Sequence, residues 1–329
     1  MGGDASTAPY AGPKATRQRE CDYALARHNH GKSKVRVLKV RRPTGGRHEV
    51  AEYTVNTRLY SDEYAKVFTS DDNSELVATD TQKNAVYVVA KRTDCLTPEQ
   101  FCVDLATHFL TEYPILSAVE VDVDEVPWLR VVCSGDQQHE HAFVKGSNET
   151  ASANVRLERS PTGAVGTPIV TSALKGMTVL KTTQSGFAGY HKDKYTLLPE
   201  CEERCLATEL SCYWSYTSSE AQTTGTQIGA QNKIPEYGTV RASVRQQLLQ
   251  GLFGPAENGI FSPSLQATIY DAGCLALAAT PDIATISIET PNLHYLPCHA
   301  LKVLGEEFED DVFIPTSEPS GTITCTVTR

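Results

Sequence analysis

Lys34 to Tyr60 reads KVRVLKVRRPTGGRHEVAEYTVNTRLY: two runs of alternating apolar and polar residues around a Pro-Thr-Gly-Gly reversal. A period of two belongs to a strand with one buried face, and it puts Val35 and Val37 on the same side. Proline and glycine supply the backbone that a tight reversal needs. The ordered part of the chain thus opens on an antiparallel hairpin. Two more β-like runs follow, SELVATD (Ser74 to Asp80) and NAVYVVAKR (Asn84 to Arg92), and both are read as strands. Thr97-Pro98-Glu99-Gln100 then has the form of a helix start, with Thr97 as N-cap, proline at the first helical position and glutamine three residues past the cap. Phe101, Leu105 and Phe109 recur every four residues and mark its buried face.

The second half is read on the same plan. MTVLKTT (Met177 to Thr183) reads as a strand, with Lys181, Thr182 and Thr183 as structural strand residues, and leads through KYTLL into a helix opened by Pro199-Glu200. LTPEQFCVDLAT (from Leu96) and LLPECEERCLAT (from Leu197) share six identities in twelve positions, 101 residues apart, which suggests a tandem duplication. After it come a helical RQQLLQGLFG and the strand IATISIET. The expected class is α+β: antiparallel sheets with helices packed on one face. The expected division is a loose leader over 1–29, a first unit over 30–165 and a second over 166–329.

With 329 residues the chain can bury a sizeable core, and 40% hydrophobic with 21% charged residues is ordinary for a globular protein. A net charge of −10 argues against sequence-independent nucleic-acid binding but leaves room for a local anion pocket. No apolar run reaches the ~18 residues of a membrane-spanning helix, and the N-terminus lacks the charged-then-apolar design of a signal peptide. Met1 to Ser6 fits a loose myristoylation pattern without a polybasic stretch behind it. Asn148-Glu149-Thr150 is a glycosylation sequon in form only. The ten cysteines contain no CxxC pair and are read as reduced, mostly buried thiols in an intracellular protein, with Cys201, Cys205 and Cys212 stacked on one helix face. His139 and His141 alternate on one strand face, but no third or fourth zinc ligand is evident.

One segment carries chemistry. Between Leu180 and Arg204 a single aromatic, Phe187, stands at a fixed distance from a single arginine, Arg204, which the helix reading puts at a helix end. A ring face and a planar guanidinium together form a receptor for a flat, electron-rich, anionic heterocycle. Alone, Phe187 would be a core ring and Arg204 a solvated helix charge.

This segment resembles the signature of the uricase (urate oxidase) family, carried here by Val179, Leu180, Lys181, Thr182, Thr183, Ser185, Phe187, Tyr190, Tyr195, Leu198 and Arg204. HGKSKVRVLKV (from His30), DNSELVATDTQKN (from Asp72), SLQATIY (from Ser264), PNLHY (from Pro291) and the end VFIPTSEPSGTITCTV resemble further blocks of the same family, in order. The resemblance implies two T-fold units in tandem and a homotetramer whose sheets close into a barrel. Its active sites would lie at subunit interfaces, and it needs no metal or organic cofactor. It implies oxidation of urate by O2 and water to 5-hydroxyisourate and H2O2. By the same resemblance, Phe187 stacks under the purine while Arg204 and Gln266 grip its edges. Leu265 and Asp80 offer backbone N–H groups, and Asn292 holds O2 or water above the ring. Lys32, Thr79 and His294 form the proton relay, with Lys32 and Thr79 donated by a neighbouring subunit; a lysine is a base only in its neutral form, which desolvation favours.

Two departures stand out. Ala188 occupies a position where the family often has a large aromatic, opening one pocket wall. The chain ends Val327-Thr328-Arg329 rather than in a Ser-Lys-Leu tripeptide, so the peroxisome expected from the resemblance has the cytoplasm as its alternative. Two other readings remain: a zinc-dependent T-fold enzyme of purines or pterins, GTP cyclohydrolase-like, with converging Cys and His ligands, and a non-catalytic purine-binding homologue.

Overall fold

The computed structural model describes residues 23–94, 96–217 and 236–329. The Met1–Ser6 pattern, Cys21, Cys95 and leader residues 1–22 lie outside the described residues. Two long strands, β1 (His30–Arg41) and β2 (Glu49–Tyr60), form the expected hairpin, with Val35 opposite Val55 and Val40 opposite Val50. There follow a short helix α1 (Ala65–Thr69), α2 (Thr79–Arg92), α3 (Pro98–Glu112) and β3 (Ala118–Glu125). A separate hairpin, β4 (Trp128–Val132) and β5 (Gln138–Lys145), precedes β6 (Thr150–Glu158). The second half runs β7 (Ile169–Lys181), β8 (Leu206–Tyr216), α4 (Tyr237–Phe253), α5 (Leu265–Ala279), β9 (Ile283–Pro297), α6 (Ala300–Leu304), β10 (Phe313–Thr316) and β11 (Thr322–Thr328).

One antiparallel sheet holds nine of these strands in the order β1-β2-β3-β6-β7-β8-β9, with β10 and β11 pairing along successive parts of β9. Each half therefore contributes strand, strand, two helices, strand and a last strand after an insertion, in the same spatial order. The alternation along β3 decides which face is which. Val119, Val121 and Val123 are buried under the helices, while Glu120, Asp122 and Asp124 point the other way. There Arg58 meets Glu120 at 2.7 Å and Asp122 at 3.2 Å. The helical layer covers the apolar face: Phe101, Leu105 and Phe109 of α3 are fully buried, at about 1.5–3 kcal/mol per side chain. Gly251 of α4 lies so close to α5 that an added Cβ would come within 2.6 Å of the Ala272 Cα, so only glycine permits that helix pair.

The α+β expectation holds, yet several local readings do not. Residues 79–92 form helix α2, not strands. Their buried positions Gln82, Ala85, Val86, Val89 and Ala90 follow a helical period, and the β-branched valines had masked it. Pro199-Glu200 opens no helix: 197–205 is loop, and β8 starts at Leu206 with Leu210, Cys212, Trp214 and Tyr216 buried in alternation. Arg204 thus ends no helix, and Cys201, Cys205 and Cys212 share no helix face. The match at 101 residues equates the start of α3 with the approach to β8, so it marks no repeat. By element order the start of α3 corresponds to the start of α5. Of the eight described cysteines, Cys102 and Cys212 are buried and the others are not, so the mostly buried reading fails as well.

The two halves are tied by a buried polar cluster under the helices. The Glu99 carboxylate, fully buried at the start of α3, accepts from Arg241 Nη2 of α4 at 2.9 Å on both oxygens and from Ser172 Oγ of β7 at 2.8 Å. Ser172 is also 2.7 Å from the Tyr216 hydroxyl, which accepts from Trp214 Nε1 at 3.1 Å. Glu125 stands 3.5 Å from Arg241, and its burial pushes its carboxyl up to about 7 against the pull of that arginine.

Candidate functional site

Phe187 and Arg204 sit at the two ends of an excursion between β7 and β8, closed by its own backbone. Phe187 and Cys201 exchange N–H···O bonds of 2.7 and 3.0 Å, and Arg204 N–H donates to Ser185 at 2.8 Å. The pairing carries the guanidinium over the aromatic ring, with Cζ 5.4 Å from the centroid. Tyr190 stacks on the same ring at 4.8 Å and 12° and donates its hydroxyl to the Leu198 carbonyl, which fixes the plate. Ala188 is exposed beside it. Gly186 is closely enclosed: a Cβ there would lie 3.0 Å from the Glu202 oxygen and from Phe261, so a neighbour would have to give way.

Arg204 is half-buried, and among the described residues no carboxylate pairs with it. Its Nε is buried with no hydrogen-bond partner, and desolvation holds its pKa below the usual arginine value. An unpaired cation costs stability when taken out of water, so this one marks a place for an anion.

The same excursion is stitched to the start of α5. Ser262 N–H donates to Gln184 at 2.8 Å, and Gly186 N–H donates to Ser262 at 2.9 Å. Two residues later Ser264 caps α5, its hydroxyl accepting from Ala267 N–H at 3.2 Å. Leu265 and Gln266 are therefore the first two residues of that helix, where backbone N–H groups lack an intrahelical acceptor and the helix dipole favours negative charge. The Leu265 side chain is buried and that of Gln266 is exposed. Asn292 and His294 lie on β9 beside this assembly: Asn292 faces Thr208 and Leu293 faces Ala207, three residues past Arg204. Phe187, Arg204, Leu265, Gln266, Asn292 and His294 are thus carried by neighbouring elements of the second half.

Lys32, Thr79 and Asp80 are held together elsewhere. Thr57 on β2 accepts from Lys32 N–H at 3.3 Å and donates to Gln82 Oε1 at 2.8 Å. Gln82 Nε2 donates to the Val77 carbonyl at 3.2 Å, so Thr57 and Gln82 together tie the start of α2 to β2 and, through Lys32 N–H, to β1. Thr79 and Asp80 are the first two residues of α2, whose N-cap, Ala78, has no side-chain hydrogen bond to offer. The Asp80 carboxylate is held below the usual range mainly by Lys83 and also by Lys32. This group sits at the β1 edge. Five strand spacings separate β1 from β8, roughly 24 Å along the sheet. One chain does not bring its two sets of site residues into contact.

His139 and His141 have ring centroids 4.6 Å apart, and His48 lies 5.9 Å from His141. Among the described residues, however, no three His, Cys, Asp or Glu side chains are arranged to hold a metal. The converging ligands expected of a zinc enzyme are not found there. Sequence reasoning overlooked Thr57, Gln82 and Ser262, which hold the site residues in place; a polar residue at a buried strand position, or just before a capped helix, was the available signal.

The sequence model of the family described as Uricase matches residues 28–156 and 170–324. Uricase-2 isozyme 2 of Glycine max is 41% identical over 304 residues, covering 91% of this chain and 94% of the relative. Uricase of Oryctolagus cuniculus is 35% identical over 316 residues, covering 96% and 98%. The crystal structure of uricase from Arthrobacter globiformis superposes with a TM-score of 0.79 at 32% identity, over 94% of this chain and 96% of that one. Both halves of the sheet, the Phe187–Arg204 excursion and the start of α5 all fall within these matches, and the chain belongs to the uricase family.

Proposed function

We propose that this chain is a urate oxidase that converts urate, O2 and water into 5-hydroxyisourate and H2O2 in purine degradation, without a cofactor. Arg204 over Phe187 carries the reading: a cation with no carboxylate partner beside an aromatic plate suits a flat purine anion. A purine stacked on Phe187 at about 3.5–4 Å would present one edge to the guanidinium and leave the other for the Gln266 amide and the Leu265 N–H.

The remaining roles are those that the family resemblance implies. Thr79 hydroxyl and Asp80 N–H stand at a second helix N-terminus, suited to the same anion. Lys32, Thr79 and His294 move protons to and from urate and the peroxide, and Asn292 holds O2 or water above the ring. Because the two groups of residues lie at different parts of one sheet, the complete site takes Lys32, Thr79 and Asp80 from a second protomer. Edge pairing of β1 against another copy would supply it, in a homotetramer built from units 30–165 and 166–329. For compartment, the family resemblance points to the peroxisome, with the cytoplasm as alternative; microscopy of the tagged full chain separates them.

Purified protein should consume urate in aerated buffer containing a chelator and release stoichiometric H2O2; no urate loss there overturns the assignment. Co-expressed Arg204→Ala chains, which capture no urate alone, and Lys32→Met chains, which turn over slowly alone, should recover roughly a quarter of the fully active sites by random assortment. No recovery in mixed oligomers would mean that both groups act within one protomer.

A further inference from the structure

Lys181 ends β7 with its side chain buried, and its ammonium spends all three donors inside the protein. It donates to the Leu252 carbonyl near the end of α4 at 3.2 Å, to the Ile260 carbonyl, and to Ser262 Oγ at 3.1 Å. All three acceptors lie between Leu252 and Ser262, at the end of α4 or in the connection that delivers α5. That connection is itself bonded to the Phe187 excursion through Ser262 with Gln184 and Gly186. One cation therefore joins the strand leading to Phe187 and the connection leading to Gln266. Beside that cation, the two segments are joined by the Ser262–Gln184 and Gly186–Ser262 backbone bonds of a single isolated parallel bridge, with no continuous strand pairing between them among the described residues.

We propose that Lys181 is a positioning residue for the purine clamp: its buried ammonium sets the separation between the Phe187–Arg204 excursion and the N-terminus of α5 that carries Leu265 and Gln266. This rests on the clamp reading above, and it assigns Lys181 no contact with the substrate. The burial that desolvates this amine pulls its pKa below the usual lysine value, against the nearby Glu203. A threefold-bonded ammonium is more directional than an apolar filler of equal length, and misplacing a binding group by about an ångström costs up to a hundredfold.

The test compares Lys181→Met with a matched control. Lys39 of β1 also gives its ammonium to backbone carbonyls, those of Ala90 and Thr93 at the end of α2, far from the clamp. Urate binding is measured without O2, where no turnover occurs, and KM and kcat in air. Lys181→Met should weaken anaerobic urate binding and raise KM on the order of tenfold or more, with kcat at saturation changed by less than about threefold. Lys181→Arg should regain part of the loss, and Lys39→Met should lower thermal stability while leaving KM unchanged. If Lys181→Met does not fold, Ser262→Ala removes one acceptor without stranding a charge and should still raise KM about twofold to threefold. Unchanged KM and urate affinity in a folded Lys181→Met, or in Ser262→Ala, overturns the proposal. Absence of urate binding to the unaltered chain would instead overturn the clamp reading itself.

Discussion

Arg241→Met tests how the two halves are held together. The substitution keeps most of the side-chain volume and removes the cation that faces Glu99 at 2.9 Å and Glu125 at 3.5 Å. Glu99 is fully buried and would keep only its hydrogen bond from Ser172. Breaking a buried pair by deleting one partner costs about 3–5 kcal/mol. At about 2 °C per kcal/mol for a chain of this size, thermal unfolding at fixed protein concentration should therefore fall by about 6–10 °C. Glu99→Gln combined with Arg241→Met should restore more than half of the loss, since glutamine still accepts from Ser172 and strands no charge. A fall of less than about 2 °C, or a double variant no better than the single, would refute the reasoning.

Glu125 makes a related prediction of opposite sign. Its pKa, pushed up by burial to about 7, means that the folded state holds a proton the unfolded state releases, so its contribution is present below about pH 4.5 and lost as pH rises through 7. Glu125→Gln should flatten that slope, raising stability at pH 8 by up to about 3 kcal/mol in thermal or denaturant unfolding; an unchanged pH profile would discount the shift. In steady-state kinetics with anaerobic binding, Arg204→Ala should abolish urate capture, whereas Thr79→Ala and Lys32→Met should bind urate and turn over slowly; equal binding losses would contradict the division of roles. Gly186→Ala forces a Cβ against Glu202 and Phe261, and should cost about 1–3 kcal/mol and raise KM; a neutral outcome would mean that the excursion yields easily.

The first hairpin was legible because its period of two runs over long segments with a Pro-Gly reversal between them. Helix α3 was legible because Thr97 and Pro98 mark its start and Phe101, Leu105 and Phe109 its face. Helix α2 was not: Ala85-Val86-Tyr87-Val88-Val89-Ala90 is β-branched and apolar on both sides, and a short run of that kind fits either period. What makes it a helix is tertiary, the burial of Gln82 against Thr57 and of Val86 and Val89 against β1. The loop over 197–205 failed for the opposite reason. Pro-Glu is a real helix-start signal, but here the backbone is committed to Phe187 and Ser185 instead.

The proposed site residues do not depend on these element readings, because a motif is read by position, whereas an element is read by averaged preference. Thr79-Asp80 was assigned to the site while its segment was misread as a strand. The correction to a helix changes their setting, placing both residues at a helix N-terminus whose cap has no side-chain hydrogen bond. The setting of Arg204 changes as well. On a helix end its charge could have been solvated, but on a loop closed by Ser185 and Cys201 it is drawn over Phe187 and partly out of water, with no carboxylate partner among the described residues. What no single-chain pattern could give is the distance between the two groups. That follows from strand order alone: a sheet that starts with β1 and ends with β9 and its partners carries Lys32 and Arg204 many strand widths apart. On the proposed reading a copy of the chain completes the site, and the tie between Glu99 and Arg241, by fixing one half-sheet against the other, then sets the span that such a partner must match.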